Sequence, residues 1–560
     1  MFLPTTQDEL KKLGWKSLDV ILVTGDAYVD SPYIGVAVIG NVLLNAGYTV
    51  GIIAQPDMSG DADIRRLGEP NLFWGITAGC MDSMIANHTP MNRPRRQDDL
   101  TAGGRNTRRP DMAVIAYANL VRKYFKKTRP IVIGGIEASL RRVSHYDFRS
   151  NSIRRSILFD ARADILVYGM GERAILEVAE RIRDGRSVAD VRGICYIAGE
   201  KRDGYLELPS HAEAAGNADR FRDMFQVFYD NNDPITAKGL YQKQDTRYLV
   251  QNPPQPPLSP AELDRVHELD YERNVHPHDA SQGEVRALAT IRFAITTHRG
   301  CFGECNFCSI SVHQGRAVVS RSEASILREA ALLTTHSSFK GYINDVGGPT
   351  ANMYGMACGR MKTRGACRDR RCLLPAVCEK MAAGHGRQIS LLERLRQIPR
   401  IKKVFIGSGI RHDLVLADRA HGRQYLEAII RHHISGQMKL APEHSEDHIL
   451  ALMGKPSIAS FREFKQLFDR INIRLGKKQF LTAYLMAAYP GCTRDDMTRL
   501  SRFTQKILGF RPRQVQIFTP SPSTWATLMY YTEKSPDSGK PLFVEKDGRR
   551  KEMQKQLLLK

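Results

Sequence analysis

The segment RGCFGECNFCSI sets Cys301, Cys305 and Cys308 in a C-x3-C-x2-C spacing. Thiolates are soft ligands, and three on one short loop can wrap three corners of a cubic iron-sulfur cluster. No fourth cysteine follows within the loop. One iron would then keep an open position for a chelating substrate, by the same logic that separates an open catalytic zinc site from a closed structural one. A zinc knuckle fits the spacing poorly. Three ordinary buried thiols are the bland alternative, weighed against only ten cysteines in 560 residues.

A second group follows. Cys358, Cys367, Cys372 and Cys378 run C-x8-C-x4-C-x5-C, so four of the seven other cysteines fall within 21 residues. Four thiolates would make a closed site, either an auxiliary iron-sulfur cluster or zinc, with a structural or electron-relaying role. The competing reading is a set of reduced thiols in an insertion, with His385 nearby by accident. The flanking run GRMKTRGACRDRR is basic enough to touch a phosphate backbone. Cys80, Cys195 and Cys492 stand alone and read as small buried hydrophobes.

The elements that must carry these loops are legible from apolar periodicity. Residues 1–200 alternate the runs DVILV, VGIIA, FWGIT, PIVIGG and ADILVYG with helical stretches such as IGVAVIGNVLLNAG, the pattern of five parallel strands in a doubly wound sheet. Ligands of such sheets sit beyond the carboxyl ends of the strands, where Asp26, Gly134-Gly135 and Gly169-Met170-Gly171-Glu172 fall. That last turn matches G-x-G-x-x-A, a partial dinucleotide fingerprint, but it follows the fifth strand instead of the first, so a plain tight turn is the better reading. Residues 201–285 lose periodicity and include the proline-rich QNPPQPPLSP, an irregular connector. Residues 286–535 hold six β-rich runs: RALATIRFAITT, GYINDVGG, KKVFIGSG, QMKLAPE, FLTAYLMAAYPG and QVQIFTPSPS. Helical spacing between them predicts a partial barrel whose chemistry lies at the C-terminal strand ends, with a cysteine-rich insertion at about 352–386. Residues 536–560 form a basic tail that stops within a helical pattern, as if cut short.

Composition narrows the function class. With 42% hydrophobic and 25% charged residues, the chain is a folded protein and not a disordered one. A net charge of +22 suits polyanionic partners. Arginine pairs at Arg95-Arg96, Arg108-Arg109, Arg141-Arg142 and Arg154-Arg155 add phosphate-compatible forks, yet paired stacking aromatics of an RNA-recognition motif are absent and nucleic acid is not favoured. The apolar run at 35–44 is broken by Asn41 and too short to span a membrane. Without a visible signal peptide the expected location is cytoplasmic, with reduced thiols.

The cysteine triad with Phe307 as the aromatic before the third cysteine, at the end of the first strand of a six-unit barrel, resembles the radical S-adenosylmethionine (radical SAM) superfamily. IVIGGIEASLRRVSHYDFRSNSIRRSIL, ADILVYGMGERA, LAPEH and FTPSPSTWATLMYY narrow the resemblance to its YgiQ family, across nearly the whole chain. Members of that family run longer at the C-terminus. The resemblance implies an α/β fold in which an N-terminal doubly wound, cobalamin-binding-like parallel sheet is followed by a partial (βα)6 radical SAM barrel. It also implies a 4Fe-4S cluster on Cys301, Cys305 and Cys308, whose open iron takes S-adenosylmethionine and whose reduction yields a 5′-deoxyadenosyl radical. The electron would come from an external donor such as a flavodoxin or ferredoxin, and the substrate is not named by the sequence. Phe307 would lie near the adenine. Gly347 and Gly348 match the glycines of the superfamily motif that binds the methionine amino group, but Pro349 replaces its acidic residue. Ser408 and Glu443 are further polar contacts to ribose or methionine, with structural capping as the alternative role.

Two other function classes stay open on the sequence. One is a non-enzymatic protein gripping RNA with zinc in the cysteine lobe. The other is a corrinoid-dependent radical methyltransferase, against which the D-x-H-x-x-G ligand loop is missing.

Overall fold

Runs of β-branched residues buried on both faces can satisfy themselves only in the middle of a helix-covered parallel sheet. VILVT and VGIIA are such runs, and every residue of both is buried. They form β1 (Val20–Thr24) and β2 (Val50–Ala54), joined in parallel by β3 (Phe73–Thr77), β4 (Ile131–Ile133) and β5 (Ile165–Val167). The computed structural model describes residues 1–509, 511–512 and 515–559. The chain divides into two units, one of Met1–Leu258 with Arg265–Arg292 and one of Ser259–Asp264 with Phe293–Lys560.

In the first unit the sheet does not stop at β5. β6 (Ile194–Ala198), β7 (Leu206–Leu208), β8 (Leu240–Gln244) and β9 (Arg247–Gln251) extend it to nine strands in the order β7-β8-β9-β6-β5-β4-β3-β1-β2. The stretch 201–285, expected to be irregular, therefore supplies three strands, and helices at His211–Gly216 and Ala218–Asp230. The signal was masked because inward positions are polar. Gln242, Gln244 and Gln251 are fully buried: Gln242 donates to the Pro209 carbonyl at 2.9 Å, Gln244 to Gln242 at 3.0 Å, and Gln251 accepts from Arg142 at 3.1 Å. β8 and β9 form an antiparallel hairpin across a two-residue turn in which Asp245 has φ +58°, a left-handed geometry Asp tolerates.

The second unit builds a barrel from short parallel strands in chain order. β10 (Ala294–Thr296) pairs with β12 (Asp345–Gly347), and β11 (Tyr342–Ile343) with β13 (Lys403–Val404). A parallel bridge between Ile410 and Leu440 leads to β14 (Gln437–Glu443), which pairs with β15 (Phe480–Ala487) and then β16 (Gln516–Ile517). Helices Glu323–Thr335, Gly386–Gln397, Gly422–Ala428, Ile458–Arg474 and Arg494–Leu508 alternate with them. All six expected β-rich runs contribute; Gln514, at the start of the last, lies outside the described residues. The basic tail forms a helix, Gly548–Leu559, whose Gln554 accepts a hydrogen bond from the Ala488 backbone at 3.0 Å; Lys560 lies outside the described residues. Among the described residues, no helix is long and apolar enough to cross a membrane.

Candidate metal centre

The loop bearing Cys301, Cys305 and Cys308 leaves β10 and is tied down on three sides. Gly300 turns it with φ +79°, and a Cβ there would lie 2.0 Å from the Ala317 carbonyl oxygen, so no other residue fits. Asn306 then pins the middle. Its backbone N–H donates to the Met453 carbonyl at 2.9 Å, its side chain to Leu452 at 2.8 Å, and its carbonyl accepts from Ala526 at 2.9 Å. Glu304, with φ +45°, forms an ion pair with Arg316 at 3.0 Å.

The sulfurs of Cys301 and Cys305 face one another across Gly303. Its N–H donates to Cys301 Sγ at 3.3 Å, and a Cβ at Gly303 would stand 3.2 Å from Cys301 Sγ, 3.7 Å from Cys305 Sγ and 3.1 Å from Arg411 Nη1. Burial pushes the Cys308 thiol up to about 12, and the neighbouring Cys305 adds to it; Cys301 is raised by the same two causes in the same order. Cys301 and Cys308, thiols that burial holds neutral, need a cation beside them to become thiolates, and a cluster core supplies one. Side-chain chemistry, the shared space over Gly303 and the loop anchoring all fit an iron-sulfur cluster.

Charged groups that sequence reading overlooked surround the loop. Arg411 Nη1 stands 3.7 Å from Cys305 Sγ, and Asp413 clamps the same guanidinium through Nε at 2.8 Å and through Nη2. Burial opposes the Asp413 charge, but Arg411 outweighs it and lowers that carboxyl to about 2. The run Arg411-His412-Asp413 at the end of the third barrel unit was the available signal. Lys455, buried, donates to the Ala441 carbonyl at 2.7 Å and lies 4.0 Å from Glu443 and 6.0 Å from the Phe307 ring.

The sequence-predicted contacts fare differently. Phe307 is half-buried, edge-on to Tyr489 with ring centroids 6.3 Å apart. Glu443 ends β14 with φ +69°, is buried, and has its carboxyl raised by desolvation against the opposing pull of Lys455. A non-glycine residue held in the left-handed region at a strand end marks stored strain of the kind found at working sites. Gly347 closes β12, and its carbonyl accepts from Thr297 at 2.7 Å. Gly348 backs directly onto His298: a Cβ would meet the imidazole and the His298 carbonyl oxygen at 2.7 Å. Ser408 is engaged by Asp345, which accepts its hydroxyl and its N–H, the latter at 3.2 Å.

The first unit turns its expected ligand groups inward. Asp26 pairs with Arg109 at 2.6 Å and accepts from the Cys80 N–H at 2.6 Å, while Arg109 also meets Asp98 at 2.9 Å; all three charged groups are buried. Arg142, fully buried, donates to Gln251 and stacks 4.5 Å from both Tyr168 and Phe228. Arg141 pairs with buried Asp82, and Arg154 and Arg155 both reach Asp160. These arginines are core and surface pairs, and their forks are already filled.

The second cysteine group sits between β12 and the helix Gly386–Gln397. Strands Ala357–Cys358 and Met381–Ala382 pair antiparallel and close its base. Cys378 N–H donates to the Cys372 carbonyl at 2.8 Å, and Arg360 Nε to Cys367 Sγ at 3.2 Å. All four thiols are free. Among the described residues, no three His, Cys, Asp or Glu side chains converge as a single metal ion requires.

Comparison with known proteins decides the family. The Radical SAM N-terminal family matches residues 2–294. A UPF0313 protein of Fusobacterium nucleatum is 52% identical over 558 residues, covering 100% of this chain and 98% of the relative. The chain belongs to the UPF0313 family, the YgiQ type of radical SAM proteins. UPF0313 relatives in Thermotoga petrophila, at 47% identity over 100% of this chain and 99% of theirs, and in Clostridium botulinum strain Okra, at 44% over 100% and 87%, extend it. Among solved structures, TsrM of Kitasatospora setae, a radical S-adenosylmethionine methyltransferase with cobalamin and a 4Fe-4S cluster bound, aligns with TM-score 0.51 at 13% identity, over 92% of this chain and 74% of that one. OxsB, a cobalamin-dependent S-adenosylmethionine radical enzyme, aligns with TM-score 0.51 at 11% identity, over 94% and 57%. At such identities the likeness is one of fold, and it bears out the α/β architecture expected for this UPF0313 chain.

Proposed function

We propose that this UPF0313 protein is a radical SAM enzyme, with Cys301, Cys305 and Cys308 as the ligands of a 4Fe-4S cluster and an unidentified substrate. The observation that carries the reading is the convergence of Cys301 and Cys305 sulfurs over Gly303, where a single methyl group would sit 3.2 and 3.7 Å from them. Family membership and the cluster bound in TsrM support it. When bound, cluster and S-adenosylmethionine supply reductive cleavage of a sulfonium C–S bond, which takes one electron from a flavodoxin- or ferredoxin-like donor and releases methionine and a 5′-deoxyadenosyl radical.

The chain's own groups do the holding. The Gly303 N–H and the Arg411 guanidinium offset negative charge on the sulfurs, which eases reduction. Glu443, at the end of β14, offers a buried carboxylate to the amino or ribose end of the nucleoside ligand, and Phe307 offers a ring face to its adenine. Gly347 and Gly348 offer their backbone at the end of β12, and Gly348 also packs against His298. Because Pro349 lacks a side-chain acceptor, the methionine amino group falls to backbone carbonyls or to Glu443.

A corrinoid does not enter this reading. The D-x-H-x-x-G ligand loop is missing from the sequence, and Asp26 at the strand ends is already paired with Arg109 and the Cys80 N–H. The test is anaerobic reconstitution followed by chemical reduction with S-adenosylmethionine. The wild-type chain should form 5′-deoxyadenosine, and the variant carrying Cys301→Ala, Cys305→Ala and Cys308→Ala should form none. Undiminished cleavage by that variant ends the proposal.

A further inference from the structure

We infer that Cys358, Cys367, Cys372 and Cys378 bind a second iron-sulfur cluster, closed by four protein thiolates. The inference does not depend on the radical reading, because it stands on a different loop.

The lobe between Ala357 and Ala382 carries little regular structure and buries its apolar side chains only together with neighbouring segments. Its regular structure is one six-residue helix, Gly359–Arg364, and two strands of two residues each. A segment of that size, unable to bury a core of its own, commonly takes a metal staple. Its thiols are placed for one. The paired strands bring Cys358 opposite Met381, three residues beyond Cys378, and the Cys378–Cys372 backbone bond of 2.8 Å folds the third and fourth cysteines together. Cys358, Cys372 and Cys378 pack against one apolar cluster that includes Met361, Leu373 and Met381. No disulfide consumes any of the four.

Charge points the same way. Arg360, Lys362, Arg364, Arg368, Arg370, Arg371 and Lys380 face only Asp369 and Glu379 within the lobe, and a cubic cluster with four thiolates is a dianion. Arg360 donates to Cys367 Sγ at 3.2 Å, the same kind of contact that Arg411 makes with Cys305. Such donors to cluster sulfurs are how proteins tune these centres. A zinc ion would draw its sulfurs in to about 2.3 Å each and leave no inorganic sulfide, so iron and sulfide analysis separates the two centres.

The second centre adjoins the first. Arg371, next to Cys372, donates to the carbonyl of Glu304 at 3.0 Å, within the first cysteine loop. Phe302 and Cys301 of that loop belong to the apolar cluster against which the lobe sulfurs pack.

Iron and sulfide analysis after anaerobic reconstitution of the full chain tests this. The wild type should hold about eight irons and eight sulfides, and the variant with Cys301→Ala, Cys305→Ala and Cys308→Ala about four of each. A variant with Cys358→Ser, Cys367→Ser, Cys372→Ser and Cys378→Ser should also keep about four. A triad variant with a native far-UV spectrum and no iron overturns the inference, as does a wild type with only about four irons, all of them lost in that variant. So does one zinc retained by the triad variant. Should the lobe variant fail to fold, the triad variant decides alone. A wild type that cleaves S-adenosylmethionine with one cluster would remove the second centre and leave the proposed function standing.

Discussion

The guanidinium of Arg411 stands 3.7 Å from the sulfur of Cys305 and is fixed there by the carboxylate of Asp413. A hydrogen-bonding cation beside a ligand sulfur raises the reduction potential of the centre it serves. Arg411→Met alone would leave Asp413 buried and unpaired, at a cost of about 3–5 kcal/mol. The double variant Arg411→Met with Asp413→Leu avoids that penalty. Its reconstituted cluster should have a midpoint potential more negative by on the order of tens of millivolts in a spectroscopic titration. An unshifted potential would show that the guanidinium does not act on the sulfur.

Glu443 combines backbone strain with a buried carboxylate, and the two can be separated. Glu443→Gly relieves the left-handed conformation, worth on the order of 1 kcal/mol, while removing the Lys455 partner. Thermal stability should fall, because a buried Lys455 left without its carboxylate costs about 3–5 kcal/mol, more than the relieved strain returns. Affinity for S-adenosylmethionine, measured calorimetrically on the reconstituted protein, should fall about tenfold, or 1.4 kcal/mol; unchanged affinity would assign Glu443 a purely structural role.

Gly348 has no room for a side chain. In Gly348→Ala the new carbon would meet the His298 carbonyl oxygen and imidazole at 2.7 Å, so the strand carrying His298 must shift. Destabilisation of about 1–3 kcal/mol is expected in denaturant unfolding. Reduced iron incorporation should accompany it, since Cys301 follows His298 by three residues. Gly359→Ala, with no atom within 4 Å of the new carbon, is the control and should be neutral.

Lys551, buried on the C-terminal helix with its Nζ 2.9 Å from the Tyr530 hydroxyl, is lowered from 10.5 to about 8 by desolvation. Between those values the unfolded chain binds a proton there that the folded chain does not, so stability rises with pH through the window. Below about pH 8 both states are protonated and the folded state bears the full penalty. Lys551→Met should therefore raise stability at pH 7 by on the order of 1 kcal/mol. It should also flatten the rise between pH 8 and 10, read from urea midpoints at each pH.

Sequence alone determined what depends on near neighbours. Cys301, Cys305 and Cys308 lie on one loop, so their spacing brings three thiols together before any fold is known. The runs VILVT and VGIIA announce buried parallel strands because both faces of each are apolar. Alternation of such runs with helical periods was enough for the doubly wound sheet and the six barrel strands. The tertiary structure decided everything set by desolvation and by partners distant in the chain. Gln242 and Gln244 look like loop residues until the sheet buries them against one another, and Gln251 until it accepts from buried Arg142. Arg109 and Arg142 look like phosphate forks until Asp26 and two aromatic rings claim them. Arg411 acquires its relation to Cys305, 106 residues away, only when the third barrel unit closes beside the first. A polar side chain's role follows from what it is buried with, and that is a property of the packed chain, whereas spacing and periodicity are properties of the string.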